Sequence, residues 1–138
     1  MAEKRRIYSP KKTRTSNPNV PDALKDEVQQ KFDALIETEF KPKYIKPPPE
    51  EPRFNYLVDI FTKWYRSYFY ICGTYHCPGP NAIAPSFETK YARFEYIGGD
   101  RFNVAYMRHT GQWWQIAEEL SLDDCLEMTR SNPILHPM

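Results

Sequence analysis

Between residues 22 and 40 the apolar positions Leu24, Val28, Phe32, Leu35, Ile36 and Phe40 recur three or four apart. That is the spacing of one helical face, and Asp26, Glu27, Lys31, Asp33 and Glu37 fall on the other side. Ser16, Asn17, Pro18, Asn19 and Pro21 announce the helix start. Pro42 is expected to end it, because the residue before a proline is pushed out of the helical region.

From Phe54 to Glu119 the pattern changes to β-branched and aromatic residues. It predicts five strands near 55–63, 66–76, 89–97, 101–108 and 112–118. Leu57, Ile60, Phe61 and Trp64 would also suit a helical turn, which leaves the first boundary the least defined. The longest connection, 77–86, carries three prolines and reads as irregular but stiff. Ser121-Leu122-Asp123-Asp124 is a capping box. Leu122, Cys125, Leu126 and Thr129 then form one face of a short helix to about Ser131, stopped by Asn132-Pro133.

Turn chemistry sets the faces. A three-residue loop, His109-Thr110-Gly111, places glycine where a left-handed residue is needed. It pairs Arg108 with Gln112, Tyr106 with Trp114 and Val104 with Ile116. A second three-residue loop, Gly98-Gly99-Asp100, pairs Ile97 with Arg101, Tyr96 with Phe102 and Phe94 with Val104. One face then collects Ala92, Phe94, Tyr96, Phe102, Val104, Tyr106, Trp114 and Ile116, joined by Phe69, Ile71 and Tyr75. A one-residue slip would scatter that layer over both faces. The other face collects Tyr91, Arg93, Glu95, Asn103, Ala105, Met107, Trp113 and Gln115, with Tyr70, Cys72, Thr74 and His76. These patterns give an α+β fold: a single antiparallel sheet of about five strands, with an N-terminal and a C-terminal helix packed on one face.

Composition adds stiffness and a core. The 138 residues are 41% hydrophobic and 15% aromatic, with thirteen prolines against five glycines. That suits one domain and argues against general disorder. Five of the prolines lie in 41–53, expected as an extended spacer inside the domain 20–138. Lys46, Pro49 and Pro52 fit a basic-x-x-Pro-x-x-Pro ligand pattern, which also arises by chance.

The net charge of +1 hides an asymmetry. Residues 1–19 carry Lys4, Arg5, Arg6, Lys11, Lys12 and Arg14 against Glu3 alone. The rest carries thirteen cations against seventeen carboxylates. Residues 1–19 therefore read as a basic arm on a mildly acidic body, able to meet nucleic acid or an acidic surface, or simply to be solvated. No apolar run of membrane-spanning length and no secretory leader pattern is seen, so a cytoplasmic location is expected.

Candidate chemistry is sparse. Cys72, His76, Cys77 and His109 are soft metal ligands, but Cys72-x3-His76 lacks the second close pair of a zinc site. Cys77 beside His76 lacks a third group to position it as a nucleophile. An odd cysteine count, with Cys125 the third, reads as reduced thiols. Glu50-Glu51, Glu118-Glu119 and Asp123-Asp124 suit solubility and helix ends. No metalloprotease, nucleophile-elbow, phosphate-loop or dinucleotide motif is present. The sequence therefore points to a non-enzymatic binding or structural module without cofactor or metal. Its partner surface is the mixed face: Tyr70, Tyr91, Arg93, Asn103, Trp113 and Gln115. A protein partner or a second subunit is the first expectation, a homo-oligomer included. Binding of RNA or single-stranded DNA, helped by the arm, is the alternative, and a metal or cysteine-dependent enzyme is the weakest reading.

Overall fold

The computed structural model describes residues 19–48, 50, 54–80 and 82–137. Two helices, α1 (Asp22–Leu35) and α2 (Lys41–Tyr44), precede five strands and a third helix, α3 (Leu122–Ser131). The strands are β1 (Tyr56–Tyr65), β2 (Tyr68–His76), β3 (Ser86–Gly98), β4 (Arg101–Met107) and β5 (Trp113–Ser121). Each pairs antiparallel with the next in sequence, in the order β1-β2-β3-β4-β5. The helices cover one face of this sheet, as the apolar layer requires.

The core forms where the helical stripe meets that layer. Leu24, Val28, Phe32 and Leu35 are buried on α1. Phe32 lies 5.2 Å from Phe69 and 4.9 Å from Phe94, ring centre to ring centre. Each such side chain contributes about 1.5–3 kcal/mol by leaving water. A polar chain fixes the helix beside it: Gln29 Nε2 donates to Thr62 Oγ1 (2.6 Å), which donates to Asp33 Oδ1 (2.7 Å). Trp64 Nε1 reaches the Lys25 carbonyl at 3.3 Å.

The first helical run does not stop at Pro42. A π turn, Ile36–Phe40, leads from α1 into α2, so residues 41–44 are helical rather than extended. The Lys41 N–H donates to the Ile36 carbonyl, one residue further back than in an α-helix. The wider turn relieves the contact through which a proline ring clashes with the turn before it. The chain becomes extended at Ile45.

Bulges adjust the expected registers. The β3–β4 turn has two residues, Gly99 and Asp100, with φ of 61° and 58°. Gly98 pairs with Arg101 and Ile97 is the extra residue, so Tyr96–Phe102 and Phe94–Val104 still pair as expected. Positive φ at both central residues is what a tight two-residue hairpin demands. In the β4–β5 hairpin the Arg108 N–H donates to the Gln112 carbonyl (2.9 Å), Gly111 has φ 86°, and Tyr106 faces Trp114. Beyond it a bulge sets Ala117, not Ile116, opposite Val104. Trp114 is also a correction: it is 39% exposed, with the Arg108 guanidinium 4.5 Å from its ring centre. It sits on the outermost strand, at the rim of the layer rather than in the core.

Ser121 Oγ accepts from the Asp124 N–H at 3.1 Å and starts α3, which buries Cys125 and Thr129. The C-terminus folds back through a short 3₁₀ turn, Pro133–Leu135. His136 is buried against Phe40 and Tyr44. Its Nε2 meets the Thr129 carbonyl at 2.7 Å, which can only accept. In the neutral ring Nδ1 therefore accepts from the Tyr44 hydroxyl. All three cysteines are unbridged, and no helix among the described residues is long and apolar enough to cross a membrane.

Candidate functional site

Among the described residues no helix covers the second face of the sheet. Register sets its members: Lys63 faces Tyr70, Tyr70 faces Arg93, and Arg93 faces Ala105. Ala105 faces Gln115, and Met107 faces Trp113. Tyr68 and Cys72 flank Tyr70 on β2, and Lys90 faces Cys72.

Aromatic rings and cations alternate across the middle of this face. Tyr70 lies 6.1 Å from Tyr68 and 5.8 Å from Trp113. The Arg93 guanidinium sits 5.0 Å from the Tyr68 ring centre and 4.9 Å from that of Trp113. Lys90 Nζ is 5.3 Å from the Tyr70 ring. Arg93 reaches Trp113 diagonally across β4, past Ala105, which faces Arg93 and is small and 2% exposed, while Met107 faces Trp113. Each cation–ring contact is worth about 0.5–1 kcal/mol when exposed, less than a charge-assisted hydrogen bond at about 1.5–3 kcal/mol. Arg93 Nε is buried and has no hydrogen-bond partner among the described residues. An unpaired buried donor costs about 1–3 kcal/mol, so an acceptor arriving there has a ready energetic reason to stay.

Tyr70 is 9% exposed, and burial raises the pKa of its phenol although Arg93 opposes the shift. It is the floor of the cluster, while the partly exposed Tyr68 and Trp113 form its accessible rings. Cys72 is 1% exposed, and burial pushes its thiol up to about 11 against the pull of Lys63 and Lys90. It is a protonated core thiol at neutral pH, not a nucleophile. A cleft of about 240 Å³ lies beside it, lined by Lys63, Cys72, Glu88, Thr89, Lys90 and Met107. It shares Thr89, Lys90 and Met107 with a larger depression of about 600 Å³ toward the β4–β5 hairpin, where Tyr75, Phe87, Arg108 and His109 also contribute. The larger depression also takes in Tyr91 and so opens toward the helical side, while the smaller cleft lies beside the ring cluster.

The structure brings only part of the expected partner set together. Arg93, Trp113 and Tyr70 come together as described. Tyr91 does not: a bulge pairs Ile71 with Ala92 and Cys72 with Lys90, leaving Tyr91 the extra residue. It turns to the helical side, 8% exposed, and donates to the Tyr75 hydroxyl at 2.9 Å. Asn103 is committed elsewhere, its Oδ1 accepting from the Glu119 N–H at 3.0 Å and holding the φ 58° kink of β5. Gln115 Nε2 donates to Glu118 at 3.2 Å. Tyr68 and Lys90 also belong to the cluster; the i, i+2 spacing of Tyr68 with Tyr70 is the sequence signal for the former. Lys4, Arg5, Arg6, Lys11, Lys12 and Arg14 lie outside the described residues.

The soft ligands are dispersed. The His76 ring packs against Tyr56 at 5.4 Å, and His109 is exposed in the last hairpin. Among the described residues no three His, Cys, Asp or Glu side chains are grouped as a metal would need.

Fold and face together define an α+β sheet domain with helices on one side and, on the other, an aromatic and cationic layer left uncovered by the described residues. Residues 20–136 match a family described as a domain of unknown function, DUF3024, and the chain belongs to that family. No curated protein and no solved structure matches it.

Proposed function

We propose that the chain is a non-enzymatic binding module whose uncovered sheet face holds its partner. The observation that carries this reading is Arg93, set between Tyr68 and Trp113 with its Nε buried and unpartnered. Tryptophan, tyrosine and arginine are the side chains that most often anchor binding surfaces. The basic residues of the N-terminal arm add a second charged element in the sequence.

The test is a pull-down from lysate with immobilised full-length protein, with and without nuclease, comparing wild type with Arg93→Glu and Trp113→Ala. The retained material is expected to fall sharply for both variants while their unfolding midpoints stay near wild type. An identical retained set would remove the face from consideration.

A further inference from the structure

We infer that the ligand of the uncovered face is single-stranded nucleic acid, an inference that rests on the binding-face reading above. Charge gives the first argument. Lys63, Arg66, Lys90 and Arg93 outnumber Glu88 and Glu95 on and beside this face. None of the four takes part in an ion pair among the described residues. The ion pairs found there belong to Lys31, Lys41 and Arg130, all on helices. Arg66, Lys90 and Arg93 rest on aromatic rings instead. A phosphate is a better partner for them than a ring face.

Shape gives the second. An acidic peptide would satisfy the cations but has no regular supply of planar groups for Tyr68 and Trp113. A single strand offers both in alternation: phosphates for Lys90, Arg93 and Lys63, and bases for the rings. A duplex hides its base faces and could use only the charges. The cleft beside Cys72, lined by Lys63 and Lys90, offers room for one further nucleotide next to the rings.

Two other occupants fail on charge. Residues 1–18 carry six cations against Glu3 and would be repelled by this face. A second copy laid face to face would oppose the same cations to themselves.

The test uses full-length protein and labelled oligonucleotides of about twelve nucleotides, matching single-strand site sizes. The set is oligo-uridylate, oligo-deoxythymidylate and a DNA duplex of similar length, followed by anisotropy and tryptophan quenching. Single strands should bind with quenching. Their affinity should fall about 10- to 50-fold between about 50 and 200 mM salt, as three or four phosphate contacts imply. Trp113→Ala and Arg93→Gln should each weaken binding about 10-fold or more, Arg93→Gln guarding against a folding defect in the first. The duplex should bind at least about 10-fold more weakly. A preference for the ribo- over the deoxyribo-oligomer would assign RNA as the source, and the reverse DNA.

Absence of binding at low salt overturns the inference. So does equal binding of duplex, or binding that survives both face variants but is lost when Lys4, Arg5, Arg6, Lys11, Lys12 and Arg14 are changed to Gln. If oligonucleotides fail while the pull-down still depends on Arg93 and Trp113, the ligand is a protein and the binding face stands. If the pull-down ignores those residues, both readings fall.

Discussion

Tyr91 occupies the space where Gly73 has no side chain: a Cβ at Gly73 would stand 2.3 Å from Tyr91 Oη and 2.9 Å from two of its ring carbons. The bulge that turns Tyr91 inward and the glycine that receives it are one feature on neighbouring strands. Gly73→Ala is therefore expected to destabilise the protein by about 1–3 kcal/mol, the range for overpacking a filled core. Tyr91→Phe should cost only the hydrogen bond to Tyr75, about 0.5–1.5 kcal/mol. Urea unfolding of both variants checks the relation, and a neutral Gly73→Ala would show that the Tyr91 ring is free to move aside.

Phe32 and Trp114 should respond very differently to truncation. Phe32 is 1% exposed and touches both Phe69 and Phe94, so Phe32→Ala should cost about 3–5 kcal/mol. Trp114 is half out of the protein at the sheet rim, and Trp114→Ala should cost less than about 2 kcal/mol. Comparing denaturation midpoints at constant slope decides it. Equal costs would mean that the helices extend their cover over β5.

Much of this was readable from residue order. Tyr96 opposite Phe102 and Tyr106 opposite Trp114 followed from turn residues and alternation, and the Ser121 cap from its spacing to Asp124. What was not readable depends on single inserted residues. Tyr91 and Ala92 are both apolar enough for the core, so the pattern could not say which of them the bulge would leave over; Gly73, in a strand interior, was the one cue. The burial of Trp114 depends on how far two short helices reach across five strands, which no local pattern carries. The π turn before Pro42 is likewise a compromise between a helical stripe that runs through Phe40 and a proline that opposes it. In the candidate site, Arg93 and Trp113 were legible as members of one face, but their contact is a diagonal one across β4 that strand alternation does not specify.

Alkaline pH should destabilise the fold through its thiols. Burial pushes Cys72 up to about 11 and Cys125 up to about 12, from an ordinary value near 9. The folded chain thus keeps thiol protons that the unfolded chain has released. Stability is full below pH about 9 and falls as pH rises toward 11 and 12, by up to about 1.4 kcal/mol per pH unit for each thiol. Tyr91, raised by burial and then by its bond to Tyr75, adds to the loss above pH about 10. Denaturant unfolding between pH 8 and 10.5 should show this decline, shallower in Cys125→Ala; a flat profile would contradict the burial of both thiols.

Gly111→Val should destabilise by about 1–3 kcal/mol, because φ of 86° is closed to a β-branched residue, although nothing lies near enough to obstruct the side chain itself. Gly111→Asn should recover part of the loss, since asparagine tolerates left-handed backbone better. Thermal unfolding of the pair separates backbone strain from packing, and equal behaviour would point to packing.

Strand order that repeats sequence order bears on how the chain is assembled. Every ladder joins a strand to the one synthesised just before or after it, so the sheet can zip hairpin by hairpin without waiting for a distant segment. The exception is at the ends. Tyr44 and His136 are 92 positions apart and meet only when the segment after the third helix folds back. The ladders can thus close before His136 docks on Tyr44, which makes the segment after the third helix a clasp that holds the first helical run to a sheet already built.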